Sequence, residues 1–478
     1  MRGRGGPAWG GRGGRDGGRG APVEPGGRGG FGGRGGPGGR DGGRGGWGGP
    51  GGRGGPPGRG GWGGRGGGRF GWQDQQRPTL EPSLDVGADW AVLGDNIPFS
   101  ALAKLATAQP AAEDLLLAGA PAVYDRAADR VTPKAPAKLA PPGPPARAPA
   151  ASDDPLLRRL AAEGAGEVFT TDTVLAALMC ATRSVSPWHV LVHRRGGALW
   201  LDAEPHGPLG TITSGETAPD PPEEKEGANT PAALALEATA VHAAFRAQVL
   251  TAAGAPPAGA EPLPAELAAA GAPPPALRYR RWALGGARLV ARCAVDGAVR
   301  PAAGSAAEPQ TVAVHALNEF DPKWSGVDWR ARLENQRGAV LATELKNNAA
   351  KVARWTAAAL FSGVDLLKLG YVSRSAWKSA KAHVLLGTQA VKPRDFAAQM
   401  NLSMEAGWGA VRALVELCAA KCVEEGAYVL IRDPNKPQLR LYAVPAAGGG
   451  GGEGAGGEGV GGEGAGGLGG GGADEDEE

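Results

Sequence analysis

Cysteine is scarce in this chain: four residues in 478, Cys180, Cys293, Cys418 and Cys422. A disulfide framework needs a far denser set in a much shorter sequence, so buried thiols are the expectation. Cys418 and Cys422 stand four apart on a helical pattern, and no second Cys or His pair nearby completes a zinc site. Long apolar runs are also missing. No uncharged stretch reaches the roughly 20 residues of a membrane-spanning helix. The opening "MRGRGG" has no apolar core of the kind a signal peptide carries. These absences predict a soluble, cytoplasmic chain with no membrane partner. The six histidines are scattered, with only His189 and His193 on one strand face, so no ligand set, metal or cofactor is expected.

Charge of one sign is missing from each end. Residues 1–77 hold 14 arginines against four acids, Asp16, Glu24, Asp41 and Asp74. The stretch from 446 onward carries Glu453, Glu458, Glu463 and the closing "DEDEE" with no basic residue. Between these blocks the body is close to neutral, since the whole chain is only +2. Eight Arg-Gly-Gly units lie between Arg4 and Gly67, interleaved with Trp9, Phe31, Trp47, Trp62, Phe70 and Trp72. Glycine at that density cannot bury enough surface to offset chain entropy, which predicts disorder at both ends. Arginine with planar rings suits phosphates and exposed bases, so the basic arm is expected to touch RNA. The tail reads as a solvated acidic segment.

The body is patterned as α+β with a mixed sheet. Residues 78–150 show one short ordered piece and a Pro/Ala linker, and firm order is expected from "SDDPLLRRLAAEG" onward, over 151–445. Thr171 or Asp172 is a plausible N-cap before Val174, Leu175, Leu178 and Met179, which keep helical spacing. "HVLVHRRGGALWLDAE" alternates on both sides of Gly196-Gly197, a hairpin signal. "PAALALEATAVHAAF" and "NNAAKVARWTAAALFSG" read as helices. "LRYRRWAL", "ARLVARCAV", "TVAVHALNEF", "GAVLATELK", "LLKLGYVSR", "HVLLGTQAV", "YVLIRD" and "LRLYAV" read as strands, with two helical segments over 393–424. Residues 253–276 look like a flexible insertion. Most of the tryptophans in the body belong to its core, and their spacing alone does not say which are exposed.

Two short carboxylate pairs raise the question of chemistry. On strands, residues two apart share a face, so Glu319 with Asp321 and Glu344 with Lys346 would each point together. Three carboxylates and a lysine can hold Mg²⁺ or Mn²⁺ against a phosphate, or they can be a plain strand face with an ion pair.

The long strings "LNEFDPKWSGVDWRARLENQRGAVLATELKNNAAKVARWTAAALFSGVDLLKLGYVSR" and "HVLLGTQAVKPRDFAAQMNLSMEAGWGAVRALVELC" resemble the D-subunit family of eukaryotic translation initiation factor 3. So do "YVLIRDPNKPQLRLYAVP" and the terminal "DEDEE", and the similarity spans about residues 85–445. It implies a mixed-sheet cup with flanking helices, similar to the decapping exoribonucleases, that binds the 7-methylguanosine cap of a subset of messenger RNAs. The implied partners are capped messenger RNA, other subunits of the factor and the small ribosomal subunit. In the nuclease relatives "EFD" and "ELK" correspond to metal motifs, making Glu319, Asp321, Glu344 and Lys346 a degenerate remnant. Ala358 stands where those enzymes carry glutamine, and no convincing Gly-x-x-x-Glu motif lies upstream, so the resemblance implies binding without catalysis. A metal-dependent decapping or 5′-end nuclease and a structural RNA-binding scaffold are the alternatives. By position the resemblance implies cap contacts at Asp172, Val185 and Ser186, and at Thr239, His242 and Ala243. It also implies an acidic "RNA gate" made of Thr211, Ile212, Thr213, Ser214, Gly215, Glu216, Thr217, Ala218, Pro219, Asp220, Pro221, Pro222, Glu223, Glu224 and Lys225.

Overall fold

The computed structural model describes residues 81–141, 149–204, 207–219, 222, 226–268, 275–301 and 304–445. The arginine-rich arm and the acidic tail lie outside them. The chain enters the fold with β1 (Ala91–Val92), β2 (Ile97–Pro98), a single turn α1 (Phe99–Leu102), β3 (Glu113–Ala118), β4 (Ala122–Tyr124) and β5 (Ala137–Lys138). It continues through α2 (Pro155–Ala162), β6 (Val168–Thr171), α3 (Asp172–Met179), β7 (His189–Arg195) and β8 (Ala198–Asp202). The long α4 (Pro231–Val249) runs into β9 (Leu250–Ala253). Four strands follow: β10 (Ala276–Leu284), β11 (Ala287–Val295), β12 (Gly297–Val299) and β13 (Gln310–Glu319). Then come four helices, α5 (Pro322–Ser325), α6 (Trp329–Arg332), α7 (Arg337–Asn347) and α8 (Ala349–Ser362). The order closes with β14 (Leu366–Ala376), β15 (Ser379–Val391), α9 (Pro393–Gln399), α10 (Met404–Lys421), β16 (Gly426–Arg432) and β17 (Gln438–Val444).

Local chemistry sets many of these boundaries. Thr171 accepts the N–H of Val174 and so caps α3, while Asp154 accepts those of Leu156 and Leu157 at the start of α2. Gly196 and Gly197 have φ of 59° and 76°, the left-handed pair that a two-residue hairpin turn demands. Gly370 on β14 has a different reason: an added Cβ would lie 2.4 Å from the Phe245 ring of α4.

Two mixed sheets result. The larger runs β1-β17-β16-β7-β8-β6-β11-β10-β3, with β2 also pairing β17, and the smaller runs β5-β15-β14-β13-β12-β4-β9. Pairings β6–β8, β6–β11, β4–β12 and β13–β14 are parallel and the rest antiparallel. The α+β mixed-sheet architecture expected from the sequence is therefore present. Helix α8 lies between the sheets: Ala353, Ala357 and Phe361 pack with α3, α10 and the larger sheet, and Val352, Trp355 and Ala359 with the smaller one. Alanines on both faces let it approach both layers closely. Its ends are held by different elements, because Arg278 and Arg280 of β10 donate to the carbonyls of Ser362 and Phe361 at its C-terminus.

Three readings need correction or qualification. Order begins well before residue 151: β1 to β5 all come from residues 91–138 and extend both sheets. These strands are two to six residues long and gain stability from distant partners, so local periodicity does not reveal them. "GAVLATELK" is helix α7 rather than a strand, and its buried residues Val340, Leu341, Glu344 and Asn347 follow the helical repeat. Of the stretch 253–276, the described part up to 268 is tied to β3, where the main chain of Glu261 donates to the carbonyl of Leu117 and accepts the Gly119 N–H.

Candidate functional site

The junction between α7 and α8 organises the site. Asn348 breaks the helix with a backbone that is neither helical nor extended (φ −134°, ψ 39°), and its own side chain caps neither segment. Its amide instead donates to Glu344 Oε2 at 2.8 Å and accepts the Gly215 N–H at 2.9 Å. The orphan donors that open α8 are taken up by the 211–219 loop. Thr217 Oγ1 accepts the Ala349 N–H (2.9 Å) and donates to the Lys346 carbonyl (2.6 Å). Glu216 Oε1 accepts the Lys351 N–H at 2.5 Å, and its other oxygen accepts from Thr213 Oγ1. A carboxylate thus occupies the positive end of a helix of 14 residues. Lys351 Nζ donates back to the Thr213 carbonyl at 2.7 Å.

Beneath this loop is a small pocket of about 160 Å³, lined by Ser186, Trp188, Thr211, Thr213, Glu216 and Arg354 among others. Trp188 is buried and donates its indole N–H to Ser184 Oγ. The Arg354 guanidinium has no hydrogen-bond or ion-pair partner among the described residues.

The expected site residues divide into two groups. Ser186, Thr211, Thr213 and Glu216 meet at the pocket. Thr239 accepts the Ile212 N–H at 2.9 Å and so holds the loop against α4. Ser214 reaches the Asn318 carbonyl, and the Ala218 N–H donates to the carbonyl of Gly215. Asp172 turns inward, accepting the Ala294 N–H at 2.8 Å, and burial raises its carboxyl above the usual range. His242 is committed to His315, with Nε2 and Nδ1 3.0 Å apart; burial pushes His315 down to about 3 and His242 well below its ordinary value. Burial favours the neutral form of both rings. Val185 and Ala243 are half-buried. Of the remaining loop residues, Pro219 and Pro222 are described, whereas Asp220, Pro221, Glu223, Glu224 and Lys225 lie outside the described residues.

The four residues of the nuclease-like set are not gathered on one face. Asp321 caps α5, accepting the Lys323 N–H. On a helix, Lys346 points away from Glu344 and is exposed. Glu319 is fully buried and accepts the Trp329 N–H at 2.8 Å, and burial pushes it up to about 7. Glu344 is likewise raised to about 7 by burial, and the cation facing it is Lys351, itself lowered by burial to about 8. Among the described residues no group of three or more His, Cys, Asp or Glu side chains could hold a metal ion. The set does not fit the divalent ion of a nuclease. Lys351 and Arg354 were missed by sequence reasoning; reading α7 and α8 as a continuous helical pair would have placed Lys351 two turns beyond Glu344.

Four cysteines are buried and free. No helix among the described residues is long and apolar enough to cross a membrane.

Comparison with known proteins matches the family model described as eukaryotic translation initiation factor 3 subunit 7 over residues 30–443. The chain is 42% identical to the D subunit of eukaryotic translation initiation factor 3 from Arabidopsis thaliana, over 78% of this chain and 62% of that relative. It is 40% identical to the Homo sapiens D subunit over 78% of this chain and 68% of the relative. The chain therefore spans about two thirds of the length of these relatives. Among solved structures, Candida albicans Rai1 in complex with pU5-Mn²⁺ aligns with a TM-score of 0.43 and 11% identity, over 74% of this chain and 94% of that one. The S. pombe Rai1 structure aligns at a TM-score of 0.41 and 10% identity, over 73% and 99%. With the family model matching from residue 30 to residue 443, this chain belongs to the eukaryotic translation initiation factor 3 subunit 7 family, whose matched relatives carry the name of the factor's D subunit.

Proposed function

We propose that this chain is a non-catalytic messenger-RNA cap-binding subunit of the translation initiation factor 3 complex, acting in the cytoplasm. It binds the 7-methylguanosine cap of a subset of messenger RNAs and helps bring them to the small ribosomal subunit, alongside the other subunits of the factor. The observation that carries this reading is Glu216 on the first turn of α8, directly over a pocket that contains a partnerless arginine. A helix N-terminus and a free guanidinium are what a phosphate chain needs, and the loop carboxylate stands where a phosphate would bind. Trp188 supplies aromatic surface for a cationic methylated base. At about 160 Å³ the pocket is smaller than the roughly 300 Å³ at which small-molecule sites begin, so the 211–219 loop must lift before a cap enters. The loop is accordingly a gate.

The test is cross-linking of the full chain to capped RNA in the presence of free cap analogue. Competition by the analogue supports the reading; cross-links that the analogue leaves unchanged would make the chain a scaffold that grips RNA nonspecifically. The same preparation incubated with capped or 5′-phosphorylated RNA and Mn²⁺ should release neither cap nor nucleotides. Release would restore the nuclease reading.

A further inference from the structure

Trp324 and Trp377 are the two tryptophans of the segment from β13 to β15 that are not buried. Trp377 sits with Lys378 in the two-residue turn between β14 and β15, where Ala376 faces Ser379 across the hairpin. Such a turn favours Gly, Asn or Asp, and a partly exposed indole there serves neither the turn nor the core. Each indole carries a cation. The Arg330 guanidinium lies 4.8 Å from the Trp377 ring centre, and Lys323 Nζ lies 4.6 Å from that of Trp324.

The two pairs are linked through Arg374. Its carbonyl accepts from Arg330 at 2.5 Å, and its guanidinium lies 5.8 Å from the ring of Phe320, the residue where β13 runs into the α5 turn that carries Trp324. Basic side chains outnumber acidic ones on this face. Lys323, Arg330, Lys378 and Lys381 have no ion-pair partner among the described residues. Of the acids in these segments, Glu334 pairs with Lys134 and Glu237 with Arg374, while Asp321 and Asp328 cap α5 and α6 and keep their charge.

We propose that this face is a binding track for single-stranded RNA, separate from the cap pocket, with Trp324 and Trp377 as stacking platforms and Lys323, Arg330, Lys378 and Lys381 neutralising phosphates. Unpaired cations alone would suit an acidic protein segment equally well. The partly exposed indoles decide for nucleic acid, because every base offers a π face and base–aromatic stacking is worth about 1–3 kcal/mol per base. The inference goes beyond the cap reading and does not depend on it.

The experiment uses the full chain and an uncapped, 4-thiouridine-substituted RNA of roughly 12 nucleotides. After irradiation the adducts are mapped by peptide mass spectrometry. Adducts are expected on the peptides containing Trp324 and Trp377. In Lys378→Glu/Lys381→Glu, both exposed positions, the yield on this face should fall at least about fivefold, while adducts on the arginine-rich arm stay unchanged. Trp377→Ala should lower it to a similar degree. Affinity for free cap analogue should stay within about twofold of the parent in both variants, so failure of the track and failure of the cap reading give different results. Adducts confined to the arm, or yields unaltered in both variants, would overturn the proposal. So would a polyglutamate peptide that binds this face with no RNA adduct forming, which would make it a docking surface for an acidic protein.

Discussion

Glu216 and Lys351 pin the loop to α8: the Glu216 carboxylate accepts the lysine's backbone N–H, and the lysine's ammonium donates to the carbonyl of Thr213, three residues before Glu216. Sequence separates the two residues by 135 positions. One residue of α8 therefore holds the loop through both its main chain and its side chain.

A single substitution at Glu216 therefore loosens the loop while its bonds through Thr213, Gly215 and Thr217 remain. Glu216→Ala removes a charge-assisted bond of roughly 1.5–3 kcal/mol together with a favourable helix-end interaction, and it takes one carboxylate out of the pocket lining while leaving Trp188 and Arg354 in place. Affinity of the full chain for cap analogue should rise up to about tenfold, read by fluorescence titration, because about 1.4 kcal/mol corresponds to a factor of ten. Hydrogen exchange over 211–219 should accelerate in the same variant. Faster exchange with unaltered affinity would mean that the loop covers something other than the ligand site.

Glu319 predicts a pH dependence. Its folded-state carboxyl is raised to about 7, against an ordinary value near 4.5. Between those values the folded chain keeps a proton that the unfolded chain has released, so stability falls as pH rises through this window and levels off above it. Glu319→Gln can still accept from the Trp329 N–H and has no proton to lose. Its denaturation midpoint should vary less than the parent's between about pH 4.5 and 7. Identical slopes in parent and variant would show that Glu319 is not the group responsible.

Arg374 is the fully buried hub of the β14–β15 hairpin. It donates to both oxygens of Glu237, to Asn229 Oδ1 and to the Ala228 carbonyl, and His383 also meets Glu237 at 2.7 Å. Arg374→Met leaves the buried Glu237 carboxylate with His383 alone, and loss of one partner of a buried pair costs about 3–5 kcal/mol. Chemical denaturation should show that loss, and Arg374→Met/Glu237→Leu should recover a substantial part of it. A double variant no more stable than the single one would place the cost in packing.

Much of this was readable where signals are local. The Gly196-Gly197 turn, the Thr171 cap and the apolar repeat of α4 each lie within a few residues of what they govern. The α7 segment misled because Ala339, Leu341 and Thr343 alternate passably with their neighbours, and its helical set includes the buried acid Glu344, which an apolar count leaves out. The set of charges that forms in the fold (Glu216, Glu344 and Lys351) joins a loop to two helices across a break at Asn348, and no periodicity spans that. Sequence spacing offered Lys346 as the cation for Glu344, two positions away, and helix geometry sends it to the surface.

The short strands before residue 141 have a practical consequence. β1 and β3 close the two ends of the larger sheet, and β5 closes one end of the smaller. A fragment trimmed to residues 151–445 would uncover the flanks of β10, β15 and β17, each a row of unsatisfied main-chain donors and acceptors that templates pairing with a second molecule. Self-association, rather than weakened ligand recognition, is the behaviour to expect from such a truncation.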